Sequence, residues 1–234
     1  MRAATSTLAS SAYGVVRRRI LRGQLSLGQA VSRRKLAAEL GMSFLPVSEA
    51  LLRLEFEGLL ESRPRAGTRV RIPSPDEVRG HYLVRETLET QAAKRFAEVA
   101  SRQERLGLVK LAARVDALSR RENRAPYFSL HYQLHRHIAE GARCPVLSAA
   151  IEQTCALSST WFCVLSRPAS PRAQGRHQDL AKALTAGTPA RAAAAMRQHV
   201  RWSMREALVR LQPYFRMRKT HGRTYSRSDR QVIS

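Results

Sequence analysis

Four of the seven histidines in this 234-residue chain sit on helical stripes. His131 and His135 are four residues apart, and Leu134 and Ile138 extend the same stripe, so both imidazoles project from one helix face. His177 shares a stripe with Leu180, Ala181 and Leu184, and His199 shares one with Ala192, Ala195, Met196 and Trp202. All four are therefore expected to point at one bundle interior. Histidines at i and i+4 can share a metal ion, and two more from other helices complete a ligand set suited to zinc or nickel. Two other readings stay open. An inward histidine is often a core residue bonded to a carbonyl, and four imidazoles without metal can take up protons together and bind an anion directly. Catalysis at such a site needs a general base beside an open coordination position. Glu140 and Asp179 are the nearest acids in sequence, and neither completes an HExxH-type motif, so no enzyme is expected.

The elements that must carry these residues read as mainly helical. Tyr13, Val16, Ile20 and Leu21 mark a first helix near residues 9–22. Ser32 is placed to cap a short helix that ends at Gly41, and Ser43 to cap another that runs to Glu57, with Val47, Leu51 and Leu54 facing inward and Leu52 at the edge of that face. In "LLESRPRAGTRVRI" the period changes to alternation around Pro64 and Gly67, which predicts two antiparallel strands and a turn. Three helices and a hairpin make residues 1–73 a winged helix-turn-helix. Pro73 and Pro75 mark a linker. Residues 75–215 show helical periodicity only, in about six helices, and read as an all-helical bundle. Residues 216–234 lack apolar periodicity and read as a basic, disordered tail.

Composition narrows the partners. The formal net charge is +23: residues 1–75 carry 13 basic and 5 acidic side chains, residues 76–212 carry 22 and 12, and residues 213–234 carry 6 and 1. An Arg-rich proteome would produce the same excess, but a polyanion such as nucleic acid is the partner that counterion release rewards. No apolar run approaches the roughly 18 residues of a membrane span, and the start of the chain has no sustained apolar core, so a cytoplasmic protein is expected. Cys144, Cys155 and Cys163 form no CxxC and imply neither a disulfide framework nor a zinc ribbon.

The stretch "VVRRRILRGQLSLGQAVSRRKLAAELGMSFLPVSEALLRLEFEGLLESRPRAGTRV" resembles the DNA-binding domain of the GntR family of bacterial transcription regulators. The family pattern has a "LAxxLGVSRTPVREAL" core followed by "LExEGLV". At two family arginine positions this chain has Phe44 and Ser48, so residues 41–48 carry no charge. The groups left to read bases are the Ser43 and Ser48 hydroxyls, the helix's first N–H groups, and Phe44 or Leu45 against thymine methyls. Phe44 plugging the space between helices is the alternative. Charge lies beside the helix instead: Arg33, Arg34 and Lys35 precede it, and Arg63, Arg65, Arg69 and Arg71 surround a wing whose tip is Gly67. Arg34 and Gly67 match family positions for DNA contact.

The remainder resembles the FCD ligand-binding domain of the FadR subfamily, in "VRETLETQAAKRFA", "HYQLHRHIAEGARCPVL" and "RHQDLAKALTAGTPARAAAAMRQHV". The resemblance implies a divalent metal held by one Asp and three His. His135, His177 and His199 fall on the His positions, and His131 replaces the Asp. Losing that negative ligand leaves more of the metal's charge unneutralised, which favours an anionic effector such as an organic acid. The resemblance also implies a homodimer on double-stranded operator DNA and, for most relatives, repression. A metal-dependent enzyme with a DNA-binding appendage and a non-specific architectural DNA protein are the competing classes.

Overall fold

The computed structural model describes residues 7–118, 125–163 and 176–223. By its contacts the chain divides into two compact units, residues 1–73 with 212–234, and residues 74–211.

In the first unit α1 (Leu8–Leu21) starts at Thr7, whose side chain accepts from Ser10 N, and buries Ala12, Val16 and Ile20 as it packs against the helix at Phe44–Phe56. A two-residue strand, β1 (Ala30–Val31), precedes α2 (Arg33–Leu40). Ser32 caps α2 by accepting from Lys35 N, and Gly41 ends it at φ 61°, a left-handed turn that other residues resist. α3 (Phe44–Phe56) buries Val47, Ala50, Leu51 and Leu54, while Leu52, expected at the edge of that face, is exposed. β2 (Leu60–Arg63) and β3 (Gly67–Val70) form the hairpin, with Glu61 opposite Arg69. The three strands lie in the order β1–β3–β2, all antiparallel. β1 is absent from the sequence reading because two residues are too few for alternation to register.

In the second unit α4 (Pro75–Val99) opens with a capping box: the Ser74 hydroxyl accepts from Glu77 N, and the Glu77 carboxylate accepts from Ser74 N. It is followed by α5 (Arg102–Leu118), α6 (Ala125–Gly141), α7 (Pro145–Cys163) and α8 (Arg176–Ala186). α4 packs on α6, α7 and α8, while α5 packs on α6 and α8. The core of this unit includes Phe96, Leu108, Leu134, Ile138, Leu184 and Met196. Gly141 lets α6 close on α4, since a Cβ there would lie 2.6 Å from the Phe96 ring. Among the described residues no helix is long and apolar enough to cross a membrane.

α9 (Pro189–Arg223) starts in the second unit and continues past the point where the sequence reading places a tail. Residues 216–223 are helical, and the helix from Gln212 on belongs to the first unit. Apolar periodicity missed this because the last buried anchor on α9, Phe215, is followed by a run of basic and polar residues. The rest of the expected tail, residues 224–234, lies outside the described residues.

Candidate functional site

The bundle brings the predicted histidines together. Ring centroids are 4.5 Å apart for His131 and His135, 5.1 Å for His131 and His177, 5.2 Å for His177 and His199, and 5.3 Å for His135 and His199. One ligand atom from each of His131, His177 and His199 lies within 4.8 Å of the others. His135 is not one of these three, and its ring is turned toward Glu89. Its Nδ1 is 2.5 Å from Glu89 Oε2, and its Nε2 is 3.2 Å from His131 Nε2.

Two carboxylates back the ring cluster. Asp116 on α5 accepts from His177 Nδ1 at 2.6 Å, which fixes the tautomer and leaves the Nε2 lone pair for a ligand. Asp116 also accepts from Gln178 N at 3.0 Å. Burial pushes the Asp116 carboxyl up, but its hydrogen bonds from His177 more than offset this and hold it below the usual range. Glu89 on α4 accepts from Arg85 Nε at 2.7 Å, and both side chains are 2% exposed. Burial would raise the Glu89 carboxyl too, and the Arg85 guanidinium and His135 reverse the shift, so it stays ionised far into acid.

The imidazoles respond in the opposite sense. Burial first, and then the neighbouring imidazoles, hold His131 and His199 well below the ordinary histidine value, which keeps them neutral and able to ligate. His177 is lowered by burial and partly restored by Asp116. His199 is 4% exposed, and neither of its ring nitrogens has a hydrogen-bond partner among the described residues. A buried imidazole with both nitrogens unmet is costly unless a ligand completes it. Neutral nitrogen donors, carboxylate-backed tautomers and an unmet buried ring all fit a divalent metal.

Sequence reasoning missed Arg85, Glu89 and Asp116. An Arg and Glu at i and i+4 look like a surface pair. The available signal was their place beside inward stripes: Asp116 follows Val115 and lies four residues after Ala112, and Glu89 lies within the buried series Tyr82, Arg85, Ala92, Ala93 and Phe96.

The winged helix places the predicted DNA-facing residues unevenly. Phe44 and Leu45 are 53% and 67% exposed at the start of α3, so Phe44 does not fill the core. Ser43 makes no side-chain capping bond, which leaves its hydroxyl for another partner. Ser48 departs from expectation: its Oγ is buried without a hydrogen-bond partner among the described residues, so this hydroxyl is not presented to a base. Arg34 and Lys35 are exposed, whereas Arg33 is turned inward. Its Nη2 donates to Thr68 Oγ1 at 3.3 Å and to Ser62 Oγ at 3.5 Å, and lies 3.7 Å from Glu55 Oε1. Ser62 also touches Glu55 and lies 2.7 Å from Thr68 Oγ1. Arg33 therefore holds α2, α3 and the hairpin together rather than facing outward alone. Arg63 pairs with Glu61 at 3.2 Å, and Arg69 has its Nε buried. At the wing tip Arg65 is exposed at φ 59° beside Gly67 at φ 72°.

A winged helix with an uncharged edge at the start of α3, on the same chain as a helical bundle with a buried histidine cluster, has the architecture of a transcription regulator. Comparison with known proteins agrees: residues 8–70 match the bacterial regulatory proteins of the gntR family, and residues 81–201 match the FCD domain. The chain belongs to the GntR family and carries an FCD domain. It is 25% identical over 140 residues to the HTH-type transcriptional repressor RspR of Escherichia coli K12, a match covering 60% of this chain and 61% of that protein. Over 89 residues it is 38% identical to the "Probable D-xylose utilization operon transcriptional repressor" of Paenarthrobacter nicotinovorans, covering 38% and 39% of the two chains. Among solved structures, a GntR protein from Rhodococcus sp. RHA1 superposes with a TM-score of 0.73 at 18% identity, over 86% of this chain and 97% of that one. E. coli McbR/YncC gives 0.69 at 20% identity, over 90% and 100%. At those identities the likeness is one of fold.

Proposed function

We propose that this chain is a repressor that binds operator DNA as a homodimer and is regulated by a small organic acid bound at a metal centre in its FCD domain. The observation that carries the sensor half is His199, buried with both ring nitrogens unmet inside a cluster of neutral imidazoles. His131, His177 and His199 hold the metal, zinc or nickel by donor type, and His135 joins them or stays with Glu89. The bound ion supplies a positive centre that a carboxylate can ligate. Asp116 orients His177, and the Arg85–Glu89 pair fixes His135, so the pocket keeps its shape before the ligand arrives. No group in the pocket is arranged as a general base beside a nucleophile among the described residues, which favours sensing over catalysis.

The DNA half rests on Phe44, Leu45 and Ser43 at the reading edge, Arg34 and Lys35 on the preceding helix, and Arg65 at the wing tip. Regulation requires the acid to favour one protein state over another in its affinity for DNA.

Elemental mass spectrometry on the purified protein, its Asp116→Asn variant and its His199→Ala variant tests the sensor. One zinc or nickel per chain is expected in the wild type, a site weakened about 10- to 100-fold in Asp116→Asn, and none in His199→Ala. Equal metal content in all three, or none in the wild type after loading with either ion, removes the metal centre. Selection of duplexes from a randomised pool, with and without candidate acids, tests the DNA half separately.

A further inference from the structure

The outer face of the wing gathers guanidinium groups around one carboxylate. Glu61 on β2 pairs in register with Arg69 on β3, and Arg63 lies two residues beyond Glu61, so all three project from one side of the sheet. Leu60, Thr68 and Val70 are buried on the other side. The outer side walls a cleft lined by Glu61, Arg63, Arg69 and Ile72 and, from the end of α9, by Met217 and Arg218. All of these residues belong to the first unit. Phe215, 7% exposed, anchors this end of the helix.

Three guanidinium side chains thus share a cleft with Glu61. That carboxylate answers Arg63 at 3.2 Å, and Arg69 Nε stays buried with no hydrogen-bond partner among the described residues. The sequence continues the excess, with six basic side chains and one acidic in residues 213–234, and with Arg216 and Arg218 both within α9. A polyanion laid across such a cationic face releases its condensed counterions, and that release favours binding. A hydrophobic anchor followed by a cationic helix end beside the wing is what a phosphate-tracking arm requires.

We infer that the end of α9 is a second DNA-contacting element, whose cations continue those of the wing onto phosphates flanking the wing's site. The inference rests on the DNA-binding reading above. It assigns a role in affinity rather than in sequence choice, because phosphate contacts carry no base information.

The test uses the full chain with two probes, a duplex selected by the wild type from a randomised pool and an unrelated duplex of equal length. In the combined variant Arg216→Gln, Arg218→Gln, the slope of log affinity against log salt becomes shallower by about 0.9 for each phosphate no longer neutralised, hence by about two. Both duplexes weaken alike, by about tenfold at moderate salt, and the hydroxyl-radical footprint shrinks at its outer edges. Met217→Ala, which removes packing and no charge, keeps the wild-type slope. An unchanged slope and footprint in the arginine variant, with the wild type still selecting its duplex, overturns the inference and leaves the DNA-binding reading intact. A slope change in Met217→Ala as large as in the arginine variant also overturns it, because the helix end is then a brace for the wing. If the wild type selects no duplex, the DNA-binding reading fails and takes this inference with it.

Discussion

At the start of α3, Phe44 and Leu45 are 53% and 67% exposed, whereas α4, α6, α8 and α9 enclose Arg85, Glu89, His135, His177 and His199 at 4% exposure or less. The start of α3 sets apolar side chains in water, and the histidine cluster sets ionisable ones out of it. Both choices cost folding stability, and neither is needed to build the fold around it. The costs differ in kind. Exposed apolar groups forgo a gain of about 0.8 kcal/mol per CH₂ that burial would bring, while buried ionisable groups must be matched atom by atom. The reading edge should therefore tolerate substitution without unfolding, and the pocket should not.

The sharpest way to break that contrast is at Glu89. Glu89→Ala leaves Arg85 buried without its partner, which should destabilise the protein by about 3–5 kcal/mol. The double variant Arg85→Met, Glu89→Ala should recover much of that loss in the same denaturant titration. Equal stability of Glu89→Ala and wild type would mean that the pair is solvated in solution.

A pH series on metal-free protein gives an intermediate effect. The folded-state values of His131 and His199 lie below the unfolded value of about 6.5. In that window the unfolded chain binds more protons, so stability is full above about pH 6.5 and falls as pH drops toward the folded values. Glu89 and Asp116, whose folded values are depressed, add a further loss below about pH 4. A flat melting temperature between pH 8 and pH 5 would show that the imidazoles titrate as in water.

The smallest effects belong to the reading edge. Leu45→Ala and Phe44→Ala should leave stability within about 0.5 kcal/mol, yet each should relax preference for thymine at one operator position by about 1 kcal/mol. Unchanged base preference in both variants would remove the thymine-methyl contact.

Much of this contrast was legible in the sequence. The four histidines could be placed because each shares a helical stripe with apolar residues, and the hairpin because Pro64 and Gly67 interrupt an alternating run. The exposure of Phe44 was open, since a phenyl ring at a helix start fits either core or groove. What stayed hidden depends on side-chain direction between elements distant in sequence. His177 meets Asp116 across 61 residues, and Arg33 meets Thr68 across 35. Periodicity gives the face a residue occupies, not the partner it finds there. Ser48 shows the limit: one residue from Val47 on α3, its hydroxyl falls below the surface where the pattern allowed an outward position.

Arg33 couples the two elements proposed to meet DNA. One guanidinium touches Glu55 of α3, Ser62 of β2 and Thr68 of β3, so the helix and the wing of the proposed DNA-binding surface share a mount. If both meet operator DNA, a base change that displaces one of them is felt by the other, and mismatch penalties at the two are expected not to add. On that reading the operator would be recognised as a single word rather than as independent letters.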